Sequence, residues 1–150
     1  VARGYLNDHT IRTNIWNLTE EDIMPINKEH KEFYAVDMGG EWVVPEGYPE
    51  GIKQKILVGK LDEVNKTGCR TRLLKFEPGV YTTAPFTHDY WEEVYQLKGD
   101  LIVGNDENGN GGRSFDPDTY ACRPPGTPHG PFKSVNGCVL LESHYYDETK

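Results

Sequence analysis

Cysteine is scarce in this chain and poorly spaced for joint work. Cys69, Cys122 and Cys138 are odd in number and far apart, with no Cys-x-x-Cys pair among them. That argues against a disulfide framework and a cysteine-based zinc site, and a reducing, cytoplasmic compartment fits best. Basic residues are outnumbered by acidic ones, sixteen to twenty-four, for a formal charge of -8, and no Lys/Arg cluster stands out. Nucleic acid and anionic membrane surfaces are therefore not expected as partners. No apolar run approaches the roughly 18 to 20 residues that span a bilayer, so a soluble chain is expected. There is also no internal repeat, no phosphate-cradling glycine loop and no Gly-x-Ser-x-Gly elbow.

What is present favours strands. Sixteen glycines, ten prolines, nine tyrosines and three tryptophans, with few segments of helical period, predict an all-β single domain with many short strands and tight turns. Strands are expected at Ile52 to Leu61, Thr71 to Phe76, Glu92 to Leu97, Asp100 to Val103, Tyr120 to Arg123 and Cys138 to Tyr145. The first two should form a hairpin through the turn-rich stretch Asp62 to Gly68. The loop Asn105 to Gly112 lacks the ligand pattern of an EF-hand and reads as a hairpin tip. Residues 1–40 read as an N-terminal arm, with a helical turn at Leu18 to Ile23 and aromatic mass in Tyr5, Trp16, Phe33 and Tyr34. So much exposed aromatic surface predicts packing on the barrel or on a second subunit, hence a homodimer; residues 41–150 form the barrel itself.

The chemistry concentrates in two segments. In Phe86-Thr87-His88-Asp89-Tyr90-Trp91-Glu92, the histidine and glutamate are four apart, on one face of either a helix or a strand. Pro85 and the β-preferring Tyr90, Trp91, Val94 and Tyr95 decide for a strand, which puts Glu92, Val94 and Gln96 on one face. The second segment, Pro124-Pro125-Gly126-Thr127-Pro128-His129, holds a histidine in a turn stiffened by proline. Two imidazoles and one carboxylate suit a borderline divalent metal and leave positions open for a substrate. His144 shares a strand face with Glu142 and Leu140, and lies either in a pocket or at an exposed edge. Arg72 and Arg123 are expected to point outward into solvent, with an inward, substrate-clamping arginine as the lesser alternative.

These segments resemble those of the cupins, in particular the group containing the cupin domain of the ChrR anti-sigma factors and the acetylacetone-cleaving dioxygenases. The likeness runs from about Trp42 to Tyr146 and includes Thr71 to Gly79, Glu92 to Asp100, and Pro124-x-Gly126-x-x-His129. It implies a cupin jelly-roll β-barrel, and His88, Glu92 and His129 as metal ligands. Where the family's first motif carries an earlier histidine this chain has Phe86, and Lys133 replaces the second-motif asparagine.

Three accounts of Phe86 stand open: a two-histidine, one-carboxylate site; a replacement ligand from Tyr90, His9, His30 or His144; or loss of the metal. The resemblance implies an iron(II) dioxygenase, with zinc, manganese or nickel as other metals, that cleaves a carbon–carbon bond of a diketone or aryl ketone. Catalytic roles then fall to Glu92 and to Gln96, which would orient substrate or oxygen, while Phe86, Tyr90, Arg72 and His144 line the pocket for a small-molecule substrate. The alternatives are a non-oxidative lyase, isomerase, hydratase or cyclase, and a ligand-binding sensor without catalysis.

Overall fold

The computed structural model describes residues 27–147. Its described residues form eight strands and no helix: β1 (Ile52–Asp62), β2 (Thr67–Phe76), β3 (Trp91–Gly99), β4 (Leu101–Val103), β5 (Arg113–Phe115), β6 (Tyr120–Arg123), β7 (Phe132–Lys133) and β8 (Cys138–Tyr145). Five of them make one antiparallel sheet in the order β1-β2-β8-β3-β6, and a smaller sheet, β5-β4-β7, faces its inner side. Each strand foreseen from the sequence forms, and β1 and β2 make the expected hairpin. The two- and three-residue strands β5 and β7 were not foreseen, because segments so short carry no readable alternation.

Alternation decides which residues turn inward. On β3, Glu92, Val94 and Gln96 are buried, while Tyr95 and Leu97 are exposed on the opposite face. On β8 the inward set is Cys138, Leu140, Glu142 and His144. Between β3 and β4 the chain crosses from one sheet to the other at Gly99, whose φ is +83°. A side chain there would collide with the backbone of Gly137, so only glycine fits the crossing.

The inner face of the large sheet is divided in two. One half is apolar: Ile52, Leu74, Phe76, Val94, Leu101, Cys138 and Leu140 form the core cluster. The other half is charged. Register pairing sets Arg72 beside Glu142, and in the next inward rank Arg70, His144, Glu92 and Arg123 follow one another across β2, β8, β3 and β6.

The part of the arm that is described, from Asn27 onward, runs against the first hairpin. The Asn27 amide donates to the Lys60 carbonyl and accepts from the Cys69 amide, and Lys31 Nζ donates to the Leu57 carbonyl. Phe33 stands fully in solvent. The helical turn expected at 18–23 and His9 lie outside the described residues. At the tip between β4 and β5, the Asp106 carboxylate is taken up by the amides of Asn108 and Asn110, as a closed turn requires.

Candidate metal centre

The rank Arg70–His144–Glu92–Arg123 is hydrogen-bonded from end to end. Arg70 Nε donates to His144 Nδ1 at 2.9 Å, His144 Nε2 lies 3.2 Å from Glu92 Oε1, and Arg123 Nη1 donates to Glu92 Oε2 at 2.6 Å. Arg70 settles the state of His144. An imidazole nitrogen that accepts from a guanidinium must be unprotonated, so the proton sits on Nε2. That Nε2–H donates to Glu92 and also faces Glu142 Oε2 at 3.4 Å. His144 is therefore a donor between two carboxylates, and its Nε2 has no lone pair to offer a metal.

Two loops add the remaining donors. Phe86 and His129 are joined backbone to backbone, each amide donating to the other's carbonyl at 2.8 and 3.0 Å. This bridge brings the turn carrying His129 against the segment carrying His88. His129 Nδ1 lies 2.9 Å from the Thr127 carbonyl, an acceptor, so Nδ1 carries the proton and the neutral ring presents a bare Nε2. That Nε2 is 3.2 Å from Glu92 Oε2. Lone pairs so close require a cation between them, either a proton or a metal ion.

His88 Nε2 is 3.9 Å from Glu92 Oε1, buried, and without a hydrogen-bond partner among the described residues. Burial lowers the His88 pKa to about 4, with the charge of Arg72 adding to the shift and Glu92 opposing it. At neutral pH it is therefore an unprotonated imidazole, the form that ligates metals. Burial and the neighbouring Glu142 work against the Glu92 carboxylate, but the hydrogen bond from His144 and the charge of Arg123 outweigh them and hold Glu92 below the usual carboxylate range.

The ligand atoms of His88, Glu92 and His129 lie within 4.8 Å of one another. An orphaned buried nitrogen, a bare imidazole nitrogen facing a carboxylate, and an ionised glutamate fit a divalent transition metal. Glu92, Glu142 and His144 also cluster, but the tautomer imposed by Arg70 sets that group apart as support for the first. Arg123 is the opposing element, because it and a metal would share Glu92 Oε2.

Around this centre, Phe86 stacks on Tyr48 with ring centroids 4.9 Å apart, and Tyr90 stacks on His88 at 4.6 Å with the planes 7° apart. Phe86, His88, Tyr90, Tyr48 and Arg72 line a cleft of about 560 Å³. On the other side of the carboxylate, the barrel interior between Glu92, His129, Phe132 and Leu140 has only about 20 Å³ of space, enough for a single water. Among the described residues, the cleft is the roomy approach on the His88 side.

Several expectations change. Arg72 is not solvated: it is 2% exposed, with Nε donating to Glu142 Oε2 at 2.6 Å and Nη1 to Gln54 at 2.8 Å. It borders the cleft, but its charge is already matched. His144 is not an edge residue, since β8 runs between β2 and β3, and it does not line the cleft. Gln96 shares the inward face of Glu92 but stands four residues along the strand, roughly 13 Å away, and its amide nitrogen bonds the carbonyls of Gly99 and Phe115. It is not brought to the metal ligands. His30 is exposed beside Glu32, far from the role of a replacement ligand.

Arg70, Glu142 and the inward Arg123 were missed. The alternation that placed Glu142 beside His144 was visible in the sequence, but the partners across the ladders were not.

No family model and no curated protein matches the sequence. Solved structures do. An RmlC-like cupin from Shewanella frigidimarina NCIMB 400 superposes with a TM-score of 0.56 at 16% identity, over 83% of this chain and 97% of that one. KdgF from a Halomonas species gives 0.55 at 19%, over 75% and 94%. An acetylacetone dioxygenase from Acinetobacter johnsonii gives 0.55 at 20%, over 79% and 78%. No helix among the described residues is long and apolar enough to cross a membrane. Two facing antiparallel sheets, with the chemistry gathered at one end of the space between them, give this chain the cupin fold.

Proposed function

We propose that the chain is a metal-dependent cupin enzyme for a small organic substrate: an iron(II) dioxygenase that cleaves a carbon–carbon bond of a diketone or aryl ketone. The observation that carries this reading is the donor set. Among the described residues, His88 Nε2 is buried without a partner beside the bare Nε2 of His129 and the ionised Glu92, and two histidines with one carboxylate leave ligand positions free. Iron(II) held by these three residues would supply the one-electron chemistry that dioxygen requires; zinc, manganese or nickel would supply a Lewis acid.

The chain's own residues prepare the site. Tyr48, Phe86 and Tyr90 form an aromatic wall along the cleft on the His88 side. Burial keeps the Tyr90 phenol protonated at neutral pH, despite the opposing pull of Arg70. Arg70 and His144 hold Glu92 in a single orientation. For a β-diketone, one carbon–carbon bond breaks and both atoms of dioxygen end in the products, a carboxylic acid and an oxoaldehyde. The structural likeness to an acetylacetone dioxygenase supports the reading at the level of the fold.

One contact favours a second reading. The 3.2 Å approach of His129 Nε2 to Glu92 Oε2 is also the geometry of a shared proton, as a lyase or isomerase would use. Elemental analysis of protein purified without chelator, followed by an oxygen-electrode assay with acetylacetone and an aryl diketone, separates the two. Near one equivalent of iron with oxygen uptake matched to substrate loss supports the dioxygenase. Turnover that is unchanged under strict anaerobiosis removes it.

A further inference from the structure

The cleft of about 560 Å³ beside His88 is bordered by two arginines, and they are not in the same state. Every nitrogen of the Arg72 guanidinium has an acceptor: Nε donates to Glu142, Nη1 to Gln54 and Nη2 to the Tyr48 hydroxyl. Arg70 engages its Nε, which donates to His144 Nδ1. Among the described residues, its Nη1 and Nη2 make no hydrogen bond. The facing carboxylate, Glu63 Oε1, is 3.8 Å from Nη1, too far for one, and Glu63 is 58% exposed.

The balance of charge points to the same residue. The charged half of the large sheet sets three guanidinium groups, Arg70, Arg72 and Arg123, against two buried carboxylates, Glu92 and Glu142. Arg72 takes Glu142 and Arg123 takes Glu92, so the unmatched positive charge is that of Arg70. Its side chain is 18% exposed. Because Nε is turned to the fully buried His144, the part left to face the cleft is the terminal fork.

Two parallel N–H donors on a planar, permanently charged group match a carboxylate. His144 already holds the fork in place, so little freedom is lost when an anion binds. Tyr90 adjoins both the fork and the metal ligands, with its ring centroid 5.9 Å from Arg70 Cζ and 4.6 Å from that of His88, so one small molecule in the cleft can reach both. We propose, on the reading of this cleft as the substrate site, that the substrate is an oxo-carboxylate: Arg70 Nη1 and Nη2 hold its carboxylate while its ketone end faces His88. Glu63 competes for the fork and tempers the affinity.

The test titrates 4-acetylbenzoate and its uncharged counterpart, 4-acetylbenzamide, into the purified full chain and follows binding by calorimetry, with no turnover required. The carboxylate should bind about tenfold more tightly than the amide. Arg70→Gln should abolish that preference, and Arg70→Lys should restore part of it, as a point charge without the fork. Glu63→Gln, in an exposed turn, should tighten the carboxylate by about threefold and leave the amide unchanged, which keeps the proposal testable if the Arg70 variants misfold. Equal affinity for the two compounds, a preference that persists in folded Arg70→Gln, as for a carboxylate seated on the metal, or an unchanged preference in Glu63→Gln would each overturn the proposal. Failure of the dioxygenase reading shows separately. A carboxylate preference without oxygen uptake keeps the anion site and removes that chemistry, whereas equal affinities alongside oxygen uptake with acetylacetone keep the chemistry and remove the anion site.

Discussion

His144 and Glu92 are register partners across the β3–β8 ladder, and the 3.2 Å between Nε2 and Oε1 makes the histidine a donor to the carboxylate instead of its fellow ligand. The imidazole that the resemblance expects at position 86 is therefore not supplied from β8. What β8 supplies is an orienting hydrogen bond, with its direction fixed by Arg70.

The roles of the three histidines separate by substitution. His88→Ala and His129→Ala should each purify with little metal and an almost unchanged melting temperature. His144→Asn should keep close to one equivalent and lose about tenfold in affinity, as expected when a partner of a ligand is removed. Metal content by mass spectrometry decides, and full loss in His144→Asn would make it a ligand.

Arg123 competes with any cation for Glu92 Oε2, to which it donates at 2.6 Å. Arg123→Met should raise metal affinity by about tenfold, because a partly screened positive charge is withdrawn from the site. Competition against a fluorescent chelator measures this. A fall in affinity would mean instead that the guanidinium holds Glu92 in place for the metal.

Phe86 occupies the position from which the resemblance expects an imidazole, and its ring centroid lies 6.3 Å from that of His88 and 6.2 Å from that of His129. Phe86→His should tighten metal binding and change the ligand-field spectrum of the cobalt(II)-substituted protein, since a third nitrogen enters the set. An unchanged spectrum would show that position 86 is out of reach.

The Arg72–Glu142 pair is buried, with both side chains less than 5% exposed. Glu142→Leu should cost about 3–5 kcal/mol in urea unfolding because it strands a buried guanidinium. The double variant Arg72→Met/Glu142→Leu should recover most of that loss. If single and double variants were equally unstable, the pair would matter for its packing and not for its charge.

Asp100 gives a pH-dependent term away from the metal centre. Its carboxylate accepts from the amides of Val135 and Asn136 at 2.7 and 2.8 Å. Partial burial raises its pKa, the backbone hydrogen bonds outweigh that, and the net shift is downward from 3.8. A folded-state pKa below the unfolded value stabilises above the unfolded value, and the contribution is lost as pH falls through the folded one. Asp100→Asn should therefore cost about 1 kcal/mol at pH 7, and the gap to the parent should close in strong acid. A gap that stays constant from neutral pH to pH 2 would count against this account.

Much of the fold could be read from local pattern. The turn at Asp62 to Gly68 and the alternation along β3 and β8 specify hairpin, faces and core without reference to distant residues. The site was legible only where it is local: His88 and Glu92 lie on one segment, and His129 in its proline-stiffened turn. Arg70, Arg123 and Glu142 escaped because their importance comes from register, which sets residues up to 74 positions apart side by side. The outward placing of Arg72 failed for the same reason, since an inward arginine is affordable only where a carboxylate such as Glu142 waits across the ladder. Gln96 shows the reverse error: sharing a face with Glu92 was read as sharing a site, although a strand spreads its inward residues over a long distance.

The reciprocal amide–carbonyl bridge between Phe86 and His129 uses main-chain atoms alone. The position of His129 therefore does not depend on which side chain stands at 86. One corner of the ligand set can change identity while the frame that presents the others stays in register, and the number of coordinating nitrogens becomes a property that one codon can adjust without rebuilding the barrel.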